Sequence, residues 1–133
     1  MATAQPLPTP PSLRGAALAA AARGEPLVVM TTLKGCVYCE LVRNSYLAPM
    51  QREGLLVAVQ VDVQDRQSNL QGFAGDTTTP ADQARAWKAR FTPTVMFFGP
   101  DGQELAERLV GVAVPDFNGE YLEARLTEAR GKL

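Results

Sequence analysis

The sequence predicts an α/β domain: one four-stranded mixed sheet flanked by helices. Three observations carry that expectation. Strand-like and helix-like runs alternate in the first part of the chain, which gives a β-α-β unit with a parallel strand pair. The later part reads as two strands joined by a tight turn and followed by a helix, which adds a hairpin and a covering layer. Between them, Val57, Val59, Val61 and Val63 alternate with period two, the clearest strand pattern in the chain. No internal repeat and no second domain is visible.

Residues 1–11 hold four prolines and no charged side chain, and read as a flexible leader. The domain is expected over 12–133. Ser12 can cap a helix running to about Arg23, with Gly24 as its stop. Pro26 leads into a fully buried type of strand over 27–30, within an apolar β-like run over 27–32, and 31–35 reads as a turn. That turn delivers the chain to Cys36, and a helix follows to roughly Leu47, where Pro49 is expected to break or kink it. The second strand spans 55–63. Residues 64–78 are polar, contain Gly72 and Gly75, and read as a mobile loop contributing little to stability. Thr79 and Pro80 supply a cap and a first helical residue for a helix to about Arg90. A third strand over 94–98, a tight turn over 99–102 and a fourth strand over 104–110 follow, ended by Gly111. Pro115 is expected to start a last helix ending near Arg130. Phe91, Phe97, Phe98 and Phe117 are assigned to the core, and Trp87 beneath it or near the loop. Glu104, Glu107 and Arg108 fall to the wet side of an edge strand.

Composition removes several classes of function. The chain has 133 residues, 13 basic and 14 acidic, for a net charge of -1. No basic surplus is available to neutralise phosphates, so nucleic acid is not an expected partner. No apolar run approaches the length of a membrane span. Histidine is absent, which excludes Cys–His and Ser–His pairs. The two cysteines are too few for a tetrahedral zinc site or a disulfide scaffold. Asp62 and Asp65 beside a turn read as solvated acids rather than metal ligands.

Those two cysteines stand as Cys36-Val37-Tyr38-Cys39, after a strand and at the start of a helix. Free N–H groups and partial positive charge at a helix N-terminus both favour a thiolate. This is the layout of a dithiol/disulfide redox centre. An inert structural disulfide and half of a metal site shared between chains remain as alternatives. No cofactor is called for.

Three elements in this order resemble the thioredoxin superfamily: the strand leading to Cys36-Val37-Tyr38-Cys39, Phe91-Thr92-Pro93-Thr94 before a strand, and the Gly99-Pro100-Asp101-Gly102 hairpin followed by Gly111. The resemblance implies a thioredoxin-like fold and a cis Thr92–Pro93 bond lying against the cysteines. It implies that the backbone of Thr92 pairs with an extended substrate by strand addition. Tyr38 between the cysteines and Thr92 before the proline are similar to bacterial periplasmic thioredoxin-like proteins, SoxW-like members above all. That likeness implies a periplasmic reductant of protein disulfides, working as a monomer and recharged by a membrane electron donor. No intact signal peptide is visible, so periplasmic residence takes a removed one; a cytoplasmic location is the alternative. A disulfide oxidant or isomerase is the competing activity, and the isomerase lacks the dimerisation domain its kind uses.

In this scheme Cys36 is the nucleophile, expected to titrate below the ~8.5 of a free thiol, and Cys39 is the less exposed resolving thiol. Lys34, two residues before Cys36, is either an electrostatic support or a solvated charge. Tyr38 either packs beside the site or lies on the surface. Pro93 and Thr92 complete the candidate site. One departure from the family stands out: the buried acid that thioredoxins place six residues before the first cysteine is replaced by Met30.

Overall fold

Strand alternation sorts the core residues onto two faces of one sheet in this computed structural model, which describes residues 7–111 and 119–133. Strand β1 (Leu27–Thr32) is buried along its whole length and pairs in parallel with β2 (Val57–Asp62). On its other side it pairs antiparallel with β5 (Thr94–Phe98), which pairs with a short β6 (Leu109–Val110). The order is β2-β1-β5-β6, a four-stranded mixed sheet. Val28, Met30, Ala58, Val95 and Phe97 face one way, against Cys39 and Val42 of helix α2 (Val37–Val42) and Leu122 and Leu126 of α5 (Gly119–Arg130). Leu27, Val29, Val59, Met96 and Phe98 face the other, against Leu13, Ala17 and Ala20 of α1 (Leu13–Ala21). Both layers are fully formed, which is why β1 reads as a continuous apolar run.

The capping signals act as the sequence predicts. Ser12 accepts from the N–H of Gly15 to start α1, and Thr79 accepts from that of Asp82 to start α4 (Pro80–Ala86). Helix α4 is shorter than expected: Lys88 takes a positive φ of 57° and turns the chain away. Trp87 stacks on Phe98 with ring centroids 5.1 Å apart.

Five further expectations need correction. Pro49 neither ends nor breaks its helix. Helix α2 runs through a π-type turn (Arg43–Leu47) into α3 (Ala48–Arg52), and the N–H of Ala48 bonds to the carbonyl of Arg43, five residues back. Proline has no N–H for a carbonyl one turn earlier, and the widened turn makes room for its ring. The fourth strand is not continuous over 104–110. Glu104 makes only an isolated bridge to Phe98, and the ladder resumes at Leu109–Val110. Arg108 instead bonds the carbonyl of Trp87 at 2.8 Å and the carboxylate of Glu104. Phe91 is not core: it sits in the bend before Pro93 and is 64% exposed. Phe117 and the helix start at Pro115 lie outside the described residues.

The fourth correction concerns 64–78. This segment is packed structure. It holds a two-stranded ladder of β3 (Leu70–Gln71) and β4 (Thr77–Thr78), and Leu70 is buried with Leu13 and Val61. Phe73 lies against Phe98, ring centroids 5.0 Å apart, and over Gly102, where an added Cβ would come within 2.8 Å of its ring. Asp65 accepts from the Ser68 and Gln67 N–H groups, and its hydrogen bonding, led by the Ser68 side chain, holds its carboxyl below the ordinary carboxylate range. The described part of the leader is docked too. Leu7 is buried, and the carbonyls of Pro8 and Pro11 accept from the N–H groups of Gln60 and Gln71. The leader thereby covers the outer edge of β2. Among the described residues, no helix is long and apolar enough to cross a membrane.

Candidate active site

Strand β1 ends at Thr32, and Gly35, with φ 82°, turns the chain so that Cys36 becomes the cap of α2. A positive φ at this turn favours glycine over any side-chain-bearing residue. Cys36 and Cys39 are joined as a disulfide, with Cα atoms 5.2 Å apart. Cys36 is half-buried, while Cys39 is fully buried among Met30, Val42 and Phe97. The N–H of Cys39 points at Cys36 Sγ from 3.1 Å. The first cysteine thus takes the place of a capping oxygen and receives one of the orphan donors of the helix start.

The Thr92–Pro93 peptide bond is cis, and the bend it belongs to lies over Cys36. Thr92 Oγ1 is 3.6 Å from Cys36 Sγ, and the Thr92 carbonyl oxygen is 3.7 Å away. Among the described residues, the donors directed at Cys36 Sγ are therefore the Cys39 N–H and the Thr92 hydroxyl, both neutral. Of the residues singled out from sequence, the structure brings together Cys36, Cys39, Thr92 and Pro93. Tyr38 stands 47% exposed beside the disulfide, with Val37 at 73%. Lys34 is exposed, and no hydrogen bond joins it to either sulfur. It lines a 330 Å³ cavity with Glu40, Arg43 and Asp62. Asp62 and Asp65 accept backbone N–H groups at their turns. Among the described residues, no group of three or more Cys, Asp or Glu side chains is placed to hold a metal ion.

Sequence reasoning missed what holds the bend in place. Thr31 is fully buried at the end of β1, and its hydroxyl oxygen accepts the N–H of Thr94 at 2.9 Å. The Thr94 hydroxyl donates to the Phe91 carbonyl at 2.6 Å, and the Gly111 N–H to that of Pro93 at 3.0 Å. Two threonines inside otherwise apolar strands were the available signal. Gln60, opposite Met30 in the ladder, was also missed; its Oε1 is buried with no partner among the described residues.

Thr31→Val keeps the shape of the side chain and strands the buried Thr94 N–H. We expect a loss of about 1–3 kcal/mol, the cost of an unmet buried donor. A fall in denaturant midpoint with an unchanged slope is the measurement. No change in midpoint would show that the bond does not hold the bend.

Strand, turn, capping cysteine, buried second cysteine and overlying proline bend together define a dithiol/disulfide centre on a thioredoxin-like α/β fold. The family of the thioredoxin-like domain matches residues 13–125, and the chain belongs to it. Solved structures share the fold at low sequence identity. The thioredoxin of Fasciola hepatica is 17% identical, with a TM-score of 0.59 over 92% of this chain and 99% of that one. Thioredoxin O2 from Arabidopsis thaliana, in its oxidised state, is 17% identical, with a TM-score of 0.57 over 94% and 99%. A putative disulphide-isomerase from Bacteroides thetaiotaomicron is 18% identical, with a TM-score of 0.57 over 92% of each chain. No curated protein matches the sequence. The fold and the Cys36–Cys39 pair fit thiol–disulfide oxidoreductase activity.

Proposed function

We propose that this protein reduces disulfides in other proteins. The observation that carries the direction is the neutrality of the donors on Cys36 Sγ. A strong disulfide oxidant owes its power to a stabilised reduced form, and a cation beside the thiolate is an effective way to stabilise it. In this site Val37 and Tyr38 bring no charge, Met30 brings none beneath, and Lys34 makes no bond to the sulfur. One N–H and one hydroxyl suffice to favour a nucleophilic thiolate without strongly favouring the reduced pair.

In the reduced protein the Cys36 thiolate attacks one sulfur of the substrate disulfide. A mixed disulfide forms, and the other substrate sulfur leaves as a thiolate. Cys39 gives up its proton and attacks Cys36 Sγ, which releases the second substrate sulfur. Two electrons pass to the substrate, and the chain is left with the Cys36–Cys39 bond of this structure. An external dithiol donor must restore the pair. The backbone N–H of Thr92 has no hydrogen-bond partner among the described residues, so it is open to an extended substrate segment by strand addition. The exposed side chains of Val37, Tyr38 and Phe91 offer apolar contact near that segment.

The likeness of Cys36-Val37-Tyr38-Cys39 and Thr92-Pro93 to periplasmic SoxW-like proteins supports a periplasmic setting and a membrane electron donor. The protein acts in this reading as a monomer. The reduction potential tests the direction. We expect a value near that of thioredoxin, about -270 mV, and a value near about -120 mV would make the protein an oxidant instead.

A further inference from the structure

A cavity of 350 Å³ opens between the end of β2 and helix α4. Arg66, Arg85, Lys88 and Arg90 line it, over a floor that includes Val63 and Ala81, and among the described residues no acidic one does. This is a local feature, since the whole chain has a net charge of -1. Among the described residues none of these four cations makes an ion pair, whereas Arg108, Arg125, Arg130 and Lys132 all do. Of the carboxylates near in sequence, Asp62 accepts from Gln64 and Asp65 from Gln67 and Ser68, while Asp82, three residues before Arg85 on α4, makes no ion pair among the described residues. Four unpaired cations around one opening repel one another, and an anionic partner relieves that repulsion.

The cavity lies at the catalytic end of the sheet. The N–H of Val63 bonds the carbonyl of Thr32 at 3.0 Å, at the strand end that leads into Cys36. Arg90 is two residues before Thr92, so their Cα atoms are within about 7 Å. A polypeptide laid along Thr92 therefore runs past these side chains.

We propose that Arg66, Arg85, Lys88 and Arg90 form a docking site for a carboxylate-rich segment flanking the substrate's disulfide. The proposal rests on the reading of the protein as a reductase of protein disulfides. The cations come from two stretches of the chain, Arg66 after β2 and Arg85, Lys88 and Arg90 at and just beyond the end of α4, and are spread around an open cavity. That spacing suits several carboxylates along a peptide better than one compact anion. The site adds selectivity to a reaction whose sulfur chemistry discriminates little between substrates, through faster association with acidic partners.

The test uses peptides with the same disulfide loop flanked by glutamates, by glutamines or by lysines. Reduction by the wild type should favour the glutamate flank over the glutamine flank by about tenfold in kcat/KM at low salt and lose the preference at high salt. Arg66→Gln/Arg85→Gln should lose most of that preference and reduce the glutamine-flanked peptide at the wild-type rate. Equal kcat/KM for the two flanks in the wild type, or an unchanged preference in the double variant, overturns the proposal. Loss of the preference on adding inorganic phosphate at matched ionic strength overturns it as well, in favour of a compact-anion site. If no peptide is reduced, the reductase reading fails on its own. Binding of the same peptides to the oxidised protein then decides the docking site: tighter binding of the glutamate flank sustains it, and equal binding ends it.

Discussion

Cys39→Ser is expected to accumulate mixed disulfides with substrate proteins, while Cys36→Ser accumulates few. Both should lose turnover of protein disulfides to the level seen without protein. The asymmetry follows from placement. Cys36 is half-buried at the helix start, receives the Cys39 N–H and the Thr92 hydroxyl, and lies at the surface where a partner sulfur can reach it. Cys39 is fully buried on the apolar face of the sheet, beside Met30 and Phe97, where a thiolate is disfavoured. It can attack only a sulfur already delivered to Cys36. Removing it leaves the first step and abolishes release; removing Cys36 abolishes attack. Non-reducing gels after exposure to a disulfide-containing protein read the outcome. Equal trapping by both variants would remove the distinction between attacking and resolving sulfur, and full turnover by either would end the redox reading.

Most of what places these sulfurs was legible in the sequence, because it is written locally. A buried strand has a composition, a helix start has a cap, and a Cys pair between them has a spacing; the sequence reading of β5 matches Thr94–Phe98 to the residue, and β1 (Leu27–Thr32) runs two residues further than the buried strand read over 27–30. What was not legible depends on distant partners. Thr31 reads as the first residue of a turn until the Thr94 N–H, 63 residues away, is found on its hydroxyl. Arg66 and Arg90 look like ordinary surface cations until the fold gathers them with Arg85 and Lys88. The continuation of the helix through Pro49 depends on a wider turn that no local propensity signals. Residue type alone puts Phe91 in the core, and its position in a bend outweighs its hydrophobicity.

The segment 64–78 shows the same failure with the largest consequence for stability. Its polarity and glycines suggest a loop, yet Leu70 is among the most deeply buried residues of the chain. We expect Leu70→Ala to cost about 2–5 kcal/mol, the range for a leucine removed from a packed core. Exposed Gln67→Ala in the same segment should stay within about 0.5 kcal/mol of the wild type. Leu70 fills the layer between α1 and the sheet, against Leu13 and Val61, and the neighbouring Gln71 N–H bonds the carbonyl of Pro11 just ahead of α1. A cavity there loosens the contact that fixes α1, and deletion of 66–78 removes it together with the Phe73 packing on Phe98. The deletion should therefore fail to fold cooperatively. Denaturant titration separates the outcomes. A midpoint for Leu70→Ala equal to that of Gln67→Ala, or a deletion that unfolds in one sharp transition, would show that the segment is dispensable. It would also show that the three layers hold without the contact supplied by a chain stretch whose composition gives no hint of a core.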